Sequence, residues 1–259
     1  MAGGKERLDL LLVQRGLLPS REQAQRAIRA GWVLVNETIS DKPGVEVPLD
    51  APIRVKAQYE YVSRGGEKLA GAMATFSIDV TDRVCLDGGI STGGFTAYLL
   101  DRGAKRVYGI DVGYGQVAWS VRNDPRLVLK ERTNLRYLTP AQLYQDSDPK
   151  ADFAVVDLSF ISLTKVLSSL WHLLAPPREV LLLVKPQFEV GKDKVGKQGI
   201  VREPHIQLSA VEKVLTPALA QGWIQRGMIP SPITGKKGNQ EYWLWLVQGV
   251  GIEPTYQRL

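Results

Sequence analysis

Cysteine is nearly absent: Cys85 stands alone in 259 residues, which excludes an internal disulfide framework. Histidine is almost as scarce. His172 and His205 are the two present, and with a single thiol they leave no cluster of the kind that holds zinc, so no metal is expected. No apolar run approaches the roughly 18 residues a membrane span requires, and the first residues are short and charged, without a signal-peptide apolar region. A soluble, cytoplasmic chain without a membrane partner is expected. Neither sign of charge dominates: 33 Lys+Arg against 27 Asp+Glu give a net charge of +6, a basic bias that suits a polyanion without requiring one. The hydrophobic fraction of 44% suffices for one large core or two unequal ones.

What is present begins with a small module. Leu8, Leu11 and Leu12 recur at helical spacing before Gly16, and Pro19 with Ser20 opens a second helix, where Ser20 and Gln23 form a capping-box pattern. Ala24, Ala27 and Ile28 make its apolar stripe, Arg21, Gln25 and Arg29 share the opposite face, and Gly31 stops it. The period changes to that of strands at 32–35 and 52–55, with Asn36 and Glu37 as turn residues. On pattern alone the arginines are a solvated helix face or a phosphate-binding one. From Arg7 to Val55 the segments RLDLLL, GLLPSREQA, IRAGWVLVN, DKPG and APIRV follow in order, and this resembles the S4 RNA-binding domain, with Glu37 where the family commonly has glycine. The resemblance implies that a small α+β domain presents Arg7, Arg21, Arg29 and Lys42 to the phosphates of structured RNA, which is recognised mainly by backbone and shape. A polar-aromatic stretch at 57–61 is the expected linker, giving domains over 1–57 and 62–259.

From Arg83 the chain alternates strands and helices, the signature of an open, mostly parallel, Rossmann-like α/β sheet. Strands are expected at 84–87, 107–111, 127–130, 153–157 and 180–185, with helices at 93–102, 116–123, 164–174 and 205–221. The run 242–247 reads as an edge strand behind a turn-rich 230–239. The first strand-to-helix turn, Leu86-Asp87-Gly88-Gly89-Ile90-Ser91-Thr92-Gly93-Gly94-Phe95, is glycine-dense and lets backbone pass close to a ligand at the carboxyl edge of the sheet. It is not G-x-G-x-x-G, so no pyrophosphate site is indicated. About twenty positions after Gly89 the next strand ends in Asp111, where a carboxylate can accept hydrogen bonds from both ribose hydroxyls of a nucleoside. A nucleoside cofactor without phosphates fits best, which points to S-adenosylmethionine. A rival lies in the same turn: Gly89-Ile90-Ser91-Thr92-Gly93 is formally G-x-S-x-G, which would make Ser91 a hydrolase nucleophile with Asp157 and His205 as partners.

Four ionisable residues border the strand ends. Lys68 follows a Ser63-Arg64-Gly65-Gly66 turn, Asp157 ends the fourth strand, Lys185 ends Leu181-Leu182-Leu183-Val184, and Glu241 opens the last strand. Beside apolar segments an unpaired charge is costly, so these are expected to pair. A structural salt-bridge cluster would satisfy that expectation too. The segments SRGGEK at 63–68, STGGF at 91–95, DVGYGQ at 111–116, ERTN at 131–134, DLSFIS at 157–162 and VKPQFE at 184–189 resemble the TlyA (hemolysin A) family, which joins an S4 domain to an FtsJ-like ribose methyltransferase. Gly88, Ile90, Ala97 and Glu67 depart from that family's pattern.

The resemblance carries a Lys-Asp-Lys-Glu tetrad onto Lys68, Asp157, Lys185 and Glu241. It implies 2′-O-methylation of ribosomal RNA, at cytidine, on ribosomal subunits, with Asp87, Gly89, Ser91, Thr92, Gly93, Gly94, Phe95, Asp111 and Asn134 serving S-adenosylmethionine. In that chemistry Lys185 is the expected base, with Lys68 as its cationic neighbour and the two carboxylates orienting the lysines. Lys192, Lys194, Lys197 and Arg202 lie among the glycines of 191–202, a stretch expected to be a mobile basic loop. A non-catalytic RNA-binding or ribosome-assembly factor is the alternative of a different class. A membrane-lytic protein would need an amphipathic or apolar insertion segment, which the sequence lacks.

Overall fold

The computed structural model describes residues 4–29, 31–55, 61–235 and 237–249, so the expected linker, apart from Tyr61, lies outside the described residues. The chain divides into two compact units, Met1–Tyr59 and Glu60–Leu259. In the first, β1 (Lys5–Arg7), α1 (Leu8–Gln14), α2 (Arg21–Arg29), β2 (Val33–Val35), β3 (Thr38–Ile39), β4 (Glu46–Pro48) and β5 (Ile53–Val55) follow in order. The apolar stripes of α1 and α2 meet: Leu8, Leu11, Leu12, Ala24, Ala27 and Ile28 form one core with Val33 and Val47. Beside the expected strands at 32–35 and 52–55 the unit has three more, and they form two small sheets, β1 with β4 and β3-β2-β5. Strands of two or three residues are too short to show an alternating period, which is why β1, β3 and β4 do not stand out in the sequence. In the β2–β3 hairpin, Asn36 and Glu37 have φ of 50° and 58°, the left-handed pair that matches strand twist in a two-residue turn. Glu37 holds a conformation glycine adopts freely, and Arg54 Nη2 donates to its carboxylate at 2.7 Å.

The second unit contains α3 (Arg64–Phe76), β6 (Val84–Gly88), α4 (Gly94–Asp101), β7 (Arg106–Ile110), α5 (Trp119–Arg122), β8 (Leu127–Lys130), α6 (Pro140–Leu143), β9 (Phe153–Val156), α7 (Leu167–Leu173), β10 (Glu179–Val184), α8 (Pro186–Glu189), α9 (Pro204–Ala220), β11 (Trp223–Pro230) and β12 (Tyr242–Gln248). Seven strands form one sheet in the order β11-β12-β10-β9-β6-β7-β8. Alternate residues of the central strands are apolar on both faces, so both faces are covered. Cys85, Val107, Phe153, Val155, Leu181 and Leu183 pack with Leu69 and Met73 of α3 and Leu99 of α4. Leu86, Tyr108, Ala154, Val156, Leu182 and Val184 pack with Leu170 of α7 and Val211 and Val214 of α9.

Two expectations are corrected. The run at 242–247 is not an edge strand: β12 lies between β10 and β11, antiparallel to both. The edge is β11, whose alternation is broken by a register shift between Gln225 and Gly227 and whose residues are largely exposed. Likewise Ser63-Arg64-Gly65-Gly66 is no turn but the start of α3, with Ser63 Oγ accepting from Gly65 N–H at 3.2 Å. Its glycines serve packing: a Cβ on Gly66 would lie 2.3 Å from the Tyr61 side chain, and one on Gly94 of α4 would lie 2.2 Å from Ser63 Oγ.

Asp9 organises the first unit. Fully buried, its carboxylate accepts from Arg7 Nε at 3.0 Å, Arg7 Nη2 at 3.0 Å, Arg21 Nε at 3.1 Å and Gln25 Nε2 at 2.8 Å. The Arg7 guanidinium, then Gln25 and Arg21, hold this carboxyl well below the usual carboxylate range against the opposing effect of burial. A carboxyl lowered on folding contributes stability that is complete above its unfolded value near 4 and declines as the pH falls below it. Asp9→Asn is expected to cost the first unit about 2 kcal/mol at pH 7 and to remove most of its sensitivity between pH 5 and 3. Chemical denaturation across that range checks both, and parallel acid profiles for variant and wild type would refute the assignment.

Candidate active site

Strand order reverses beside β6: the chain runs outward through β7 and β8, then returns to place β9 on the other side of β6. Open α/β sheets bind ligands at the carboxyl edge of such a point. Here the β6–α4 turn and the segment after β9 touch, with Asp157 N–H donating to the Gly88 carbonyl at 2.9 Å. Gly89, Ser91 and Gly93 have φ of 91°, 51° and 94°, and a Cβ on Gly89 would lie 2.4 Å from the Asp157 carbonyl oxygen. Two of the four departures from the family pattern fit this packing. A Cβ on Gly88 would lie 2.8 Å from Leu135, while Ile90 is buried with Val117 and Val121.

The turn offers a bent, exposed backbone at Ser91 and Thr92. Asp111 closes it: one oxygen accepts from Ser91 N–H at 2.8 Å and the other from Gly113 N–H at 2.7 Å, which leaves each oxygen further acceptor capacity for a ribose hydroxyl. Asp87 lies fully buried beneath, with one oxygen accepting from Thr96 N–H at 3.1 Å and Thr96 Oγ1 at 2.7 Å. Its other oxygen, Oδ1, has no hydrogen-bond partner among the described residues. Burial pushes the Asp87 carboxyl up to about 7, with the Thr96 hydrogen bonds opposing it and the Asp157 charge adding to it. Phe95 is buried, its ring centroid 5.5 Å from that of Trp243, so it supports the turn from the core side. Asn134 caps the short 3₁₀ turn Leu135–Tyr137 by accepting from Arg136 N–H at 3.0 Å, which leaves its amide donors. These groups fit a nucleoside cofactor: carboxylate acceptors for hydroxyls at Asp111, an unpartnered buried carboxyl oxygen at Asp87, and an exposed backbone at Ser91 and Thr92.

The four charged residues form two pairs. Lys68, in the second turn of α3, donates to Glu241 Oε2 at 2.5 Å, and both side chains are buried. Lys185, just past β10, pairs with Asp157, just past β9, and donates to Ser159 Oγ at 3.0 Å. Val184 pairs with Tyr242 in the ladder, so Lys185 and Glu241 border neighbouring strand ends. All four thus gather at the carboxyl edge. The hydrolase arrangement is not assembled: Asp157 is engaged by Lys185, and His205 is exposed at the start of α9. In the first unit, Arg7 and Arg21 are held by Asp9 rather than free, while Arg29 and Lys42 are exposed. The basic loop is anchored at its far end, where Asn239 Oδ1 accepts from Val201 N–H at 2.9 Å and its amide donates to the Gly199 carbonyl at 2.8 Å. Sequence reasoning gave no role to Ser159, Thr96 or Glu189. All three lie in or beside the recognised segments, but their roles depend on partners in other elements.

Residues 61–248 match the family of FtsJ-like methyltransferases and residues 6–53 match the S4 domain. The 16S/23S rRNA (cytidine-2'-O)-methyltransferase TlyA of Mycobacterium tuberculosis is 47% identical over 244 residues, covering 93% of this chain and 90% of that one. A solved structure of a presumed hemolysin from Streptococcus thermophilus is 40% identical, with a TM-score of 0.73, over 96% of this chain and 90% of that one. At 14% identity and a TM-score of 0.52, an S-adenosylmethionine dependent methyltransferase from Mesorhizobium loti shares the fold over 72% of this chain and 100% of that one. The chain belongs to the FtsJ-like methyltransferase family, in its TlyA branch with an S4 domain ahead of the methyltransferase. Among the described residues no helix is long and apolar enough to cross a membrane.

A pH dependence follows from Asp87. Because folding raises this carboxyl from near 4 to about 7, the folded chain holds the proton more tightly, and the group's contribution to stability is complete at acid pH and declines between those values. Asp87→Asn is expected to flatten that decline and to melt several degrees above the wild type at about pH 8, with the gap closing as the pH falls toward about 4. Calorimetric melting profiles that stay parallel would show Asp87 ionised throughout.

Proposed function

We propose that this FtsJ-like methyltransferase transfers a methyl group from S-adenosylmethionine to a ribose 2′-hydroxyl of structured RNA, a cytidine of ribosomal RNA in the cytoplasm. The observation that carries this reading is the meeting, at one sheet edge, of the glycine turn closed by Asp111 with the pairs Lys68–Glu241 and Lys185–Asp157. The relative from Mycobacterium tuberculosis, named for that activity, supports the substrate. When bound, S-adenosylmethionine supplies an electrophilic methyl group on a sulfonium sulfur. Asp111 would hold its ribose, the backbone of Gly89, Ser91, Thr92 and Gly93 would line it, Gly94 and Phe95 would support that backbone, and Asn134 and the free oxygen of Asp87 would offer further polar contacts.

The chain's own part is to position a weakly acidic hydroxyl and take its proton. Lys185 is placed to do so at Nζ, with Asp157 and the Ser159 hydroxyl fixing its direction. To act as a base, Nζ must first be neutral. Lys68, held by Glu241, keeps a second positive charge at the edge, suited to the alkoxide that develops on the attacking oxygen. In the S4 domain, Arg7 and Arg21 share Asp9, which fixes their guanidinium planes, and with the exposed Arg29 and Lys42 they provide phosphate contacts.

The test is transfer of labelled methyl to ribosomal subunits from cells lacking this protein, with mass spectrometry locating 2′-O-methylcytidine. Lys185→Arg is expected to keep cofactor affinity within about twofold and to lose turnover by about 10³-fold, because a guanidinium stays protonated. Asp111→Ala loses cofactor affinity in calorimetry instead. A wild-type rate for Lys185→Arg would move the proton to another acceptor, and an inactive wild type that still binds subunits would make the chain a non-catalytic assembly factor. For the S4 domain, the double variant Arg29→Ala, Lys42→Ala is expected to weaken RNA binding and to lower the salt slope by about 1–2. An unchanged slope in filter binding would leave these two cations outside the interface.

A further inference from the structure

We propose that Glu189 is a positioning residue for the lysine base, tying the loop after β9 to the segment after β10; the role rests on the methyltransferase reading above. Glu189 closes α8, one helical turn beyond Lys185, and is 1% exposed. Both carboxylate oxygens are spent on the opposite loop: Oε1 accepts from Leu163 N–H at 2.7 Å, and Oε2 accepts from the Ser162 hydroxyl at 2.5 Å. From a third element, Lys213 of α9 donates to the Glu189 backbone carbonyl.

The loop at 157–163 is therefore fastened twice to the segment at 185–189. Its first end holds Lys185 through Asp157 and Ser159, and its second end is held by Glu189. Between the two anchors Phe160 turns with φ of 66°, a conformation rarely adopted by a bulky residue. The Phe160 side chain is 91% exposed, with its ring centroid 5.1 Å from that of Phe188. A loop bent in this way needs fixed ends to keep its shape.

The chemistry of Glu189 points to this fastening rather than to proton transfer. Burial pushes its carboxyl up, while the bonds from Ser162 and Leu163 pull it down. A carboxylate is a costly way to fill buried space, and an apolar residue of similar volume fills it at lower cost. What the carboxylate adds is a pair of acceptors for a backbone N–H and a hydroxyl on the loop that carries Asp157 and Ser159. Loosening that end lets the two groups drift from Lys185, and a misplacement of about 1 Å costs on the order of 10²-fold in rate.

The test compares single-turnover methyl transfer, cofactor affinity and thermal unfolding for three variants of the full chain. Glu189→Ala is expected to slow transfer by about 10²-fold with cofactor affinity unchanged, since the cofactor turn follows β6 and shares no hydrogen bond with Glu189. Glu189→Gln keeps the shape, accepting from Leu163 N–H and donating to Ser162 Oγ, and is expected to recover most of the rate. Ser162→Ala removes one bond of the two and is expected to fall between, which keeps the proposal testable if Glu189→Ala does not fold. A near-wild-type rate for Glu189→Ala overturns it. So does a Gln variant as slow as the Ala variant, or a loss of cofactor affinity in step with rate. A wild type that transfers no methyl to RNA overturns the methyltransferase reading itself, a result distinct from any difference among the variants.

Discussion

The parallel pairing of β6 with β9 is the constraint on which the carboxyl edge depends. These strands are far apart in sequence but adjacent in the sheet, and their ends diverge into the two working segments, the glycine turn on one side and the loop beginning at Asp157 on the other. The segments touch through backbone, because Gly89 leaves no Cβ between itself and the Asp157 carbonyl. The ladder joins the glycine turn to Asp157 through backbone, while the far end of the loop that Asp157 opens is tied by Glu189 to the segment after β10.

Charge is distributed along this sheet with a purpose that differs between its two edges. At the amino edge, Arg83 bonds Asp152 at 2.9 Å and Glu179 at 2.6 Å, and its guanidinium lies 4.9 Å from the Phe153 ring centroid. That cluster joins the starts of β6, β9 and β10 and has only strands to hold. At the carboxyl edge Arg122 pairs with Glu131 just past β8, but the pairs that follow β9 and β10 involve lysines. Removing such charges from water costs about as much as their attraction returns, so stability alone does not account for them. Lysine, unlike arginine, can lose its proton, and that difference separates an edge that can do acid–base chemistry from one that cannot.

Much of the methyltransferase sheet was legible because its strands are apolar on both faces and punctuated by glycine turns, a signal that needs no knowledge of partners. The positions of Asp157, Lys185 and Glu241 could be read as charges bordering apolar runs. What could not be read depends on tertiary packing. Ser63-Arg64-Gly65-Gly66 looks like a turn by composition, and only the crossing of α3 with α4, where glycine is required for contact, makes it a helix start. The sequence puts β12 at the edge because β11, largely exposed and interrupted at Arg226, carries no clean alternation. The arginines of the S4 domain were visible, but the carboxylate that aims two of them was not, since Asp9 reads as an ordinary first-turn acidic residue.

Lys68 and Glu241 are separated by 173 positions, and between them lies nearly the whole of the second unit. During synthesis the lysine emerges early, on the helix that precedes the first strand of the sheet, while its carboxylate arrives only with the final strand. The carboxyl edge therefore holds its Lys68–Glu241 pair only once β12 lies between β10 and β11, so a chain lacking that strand cannot bring all four charged groups together.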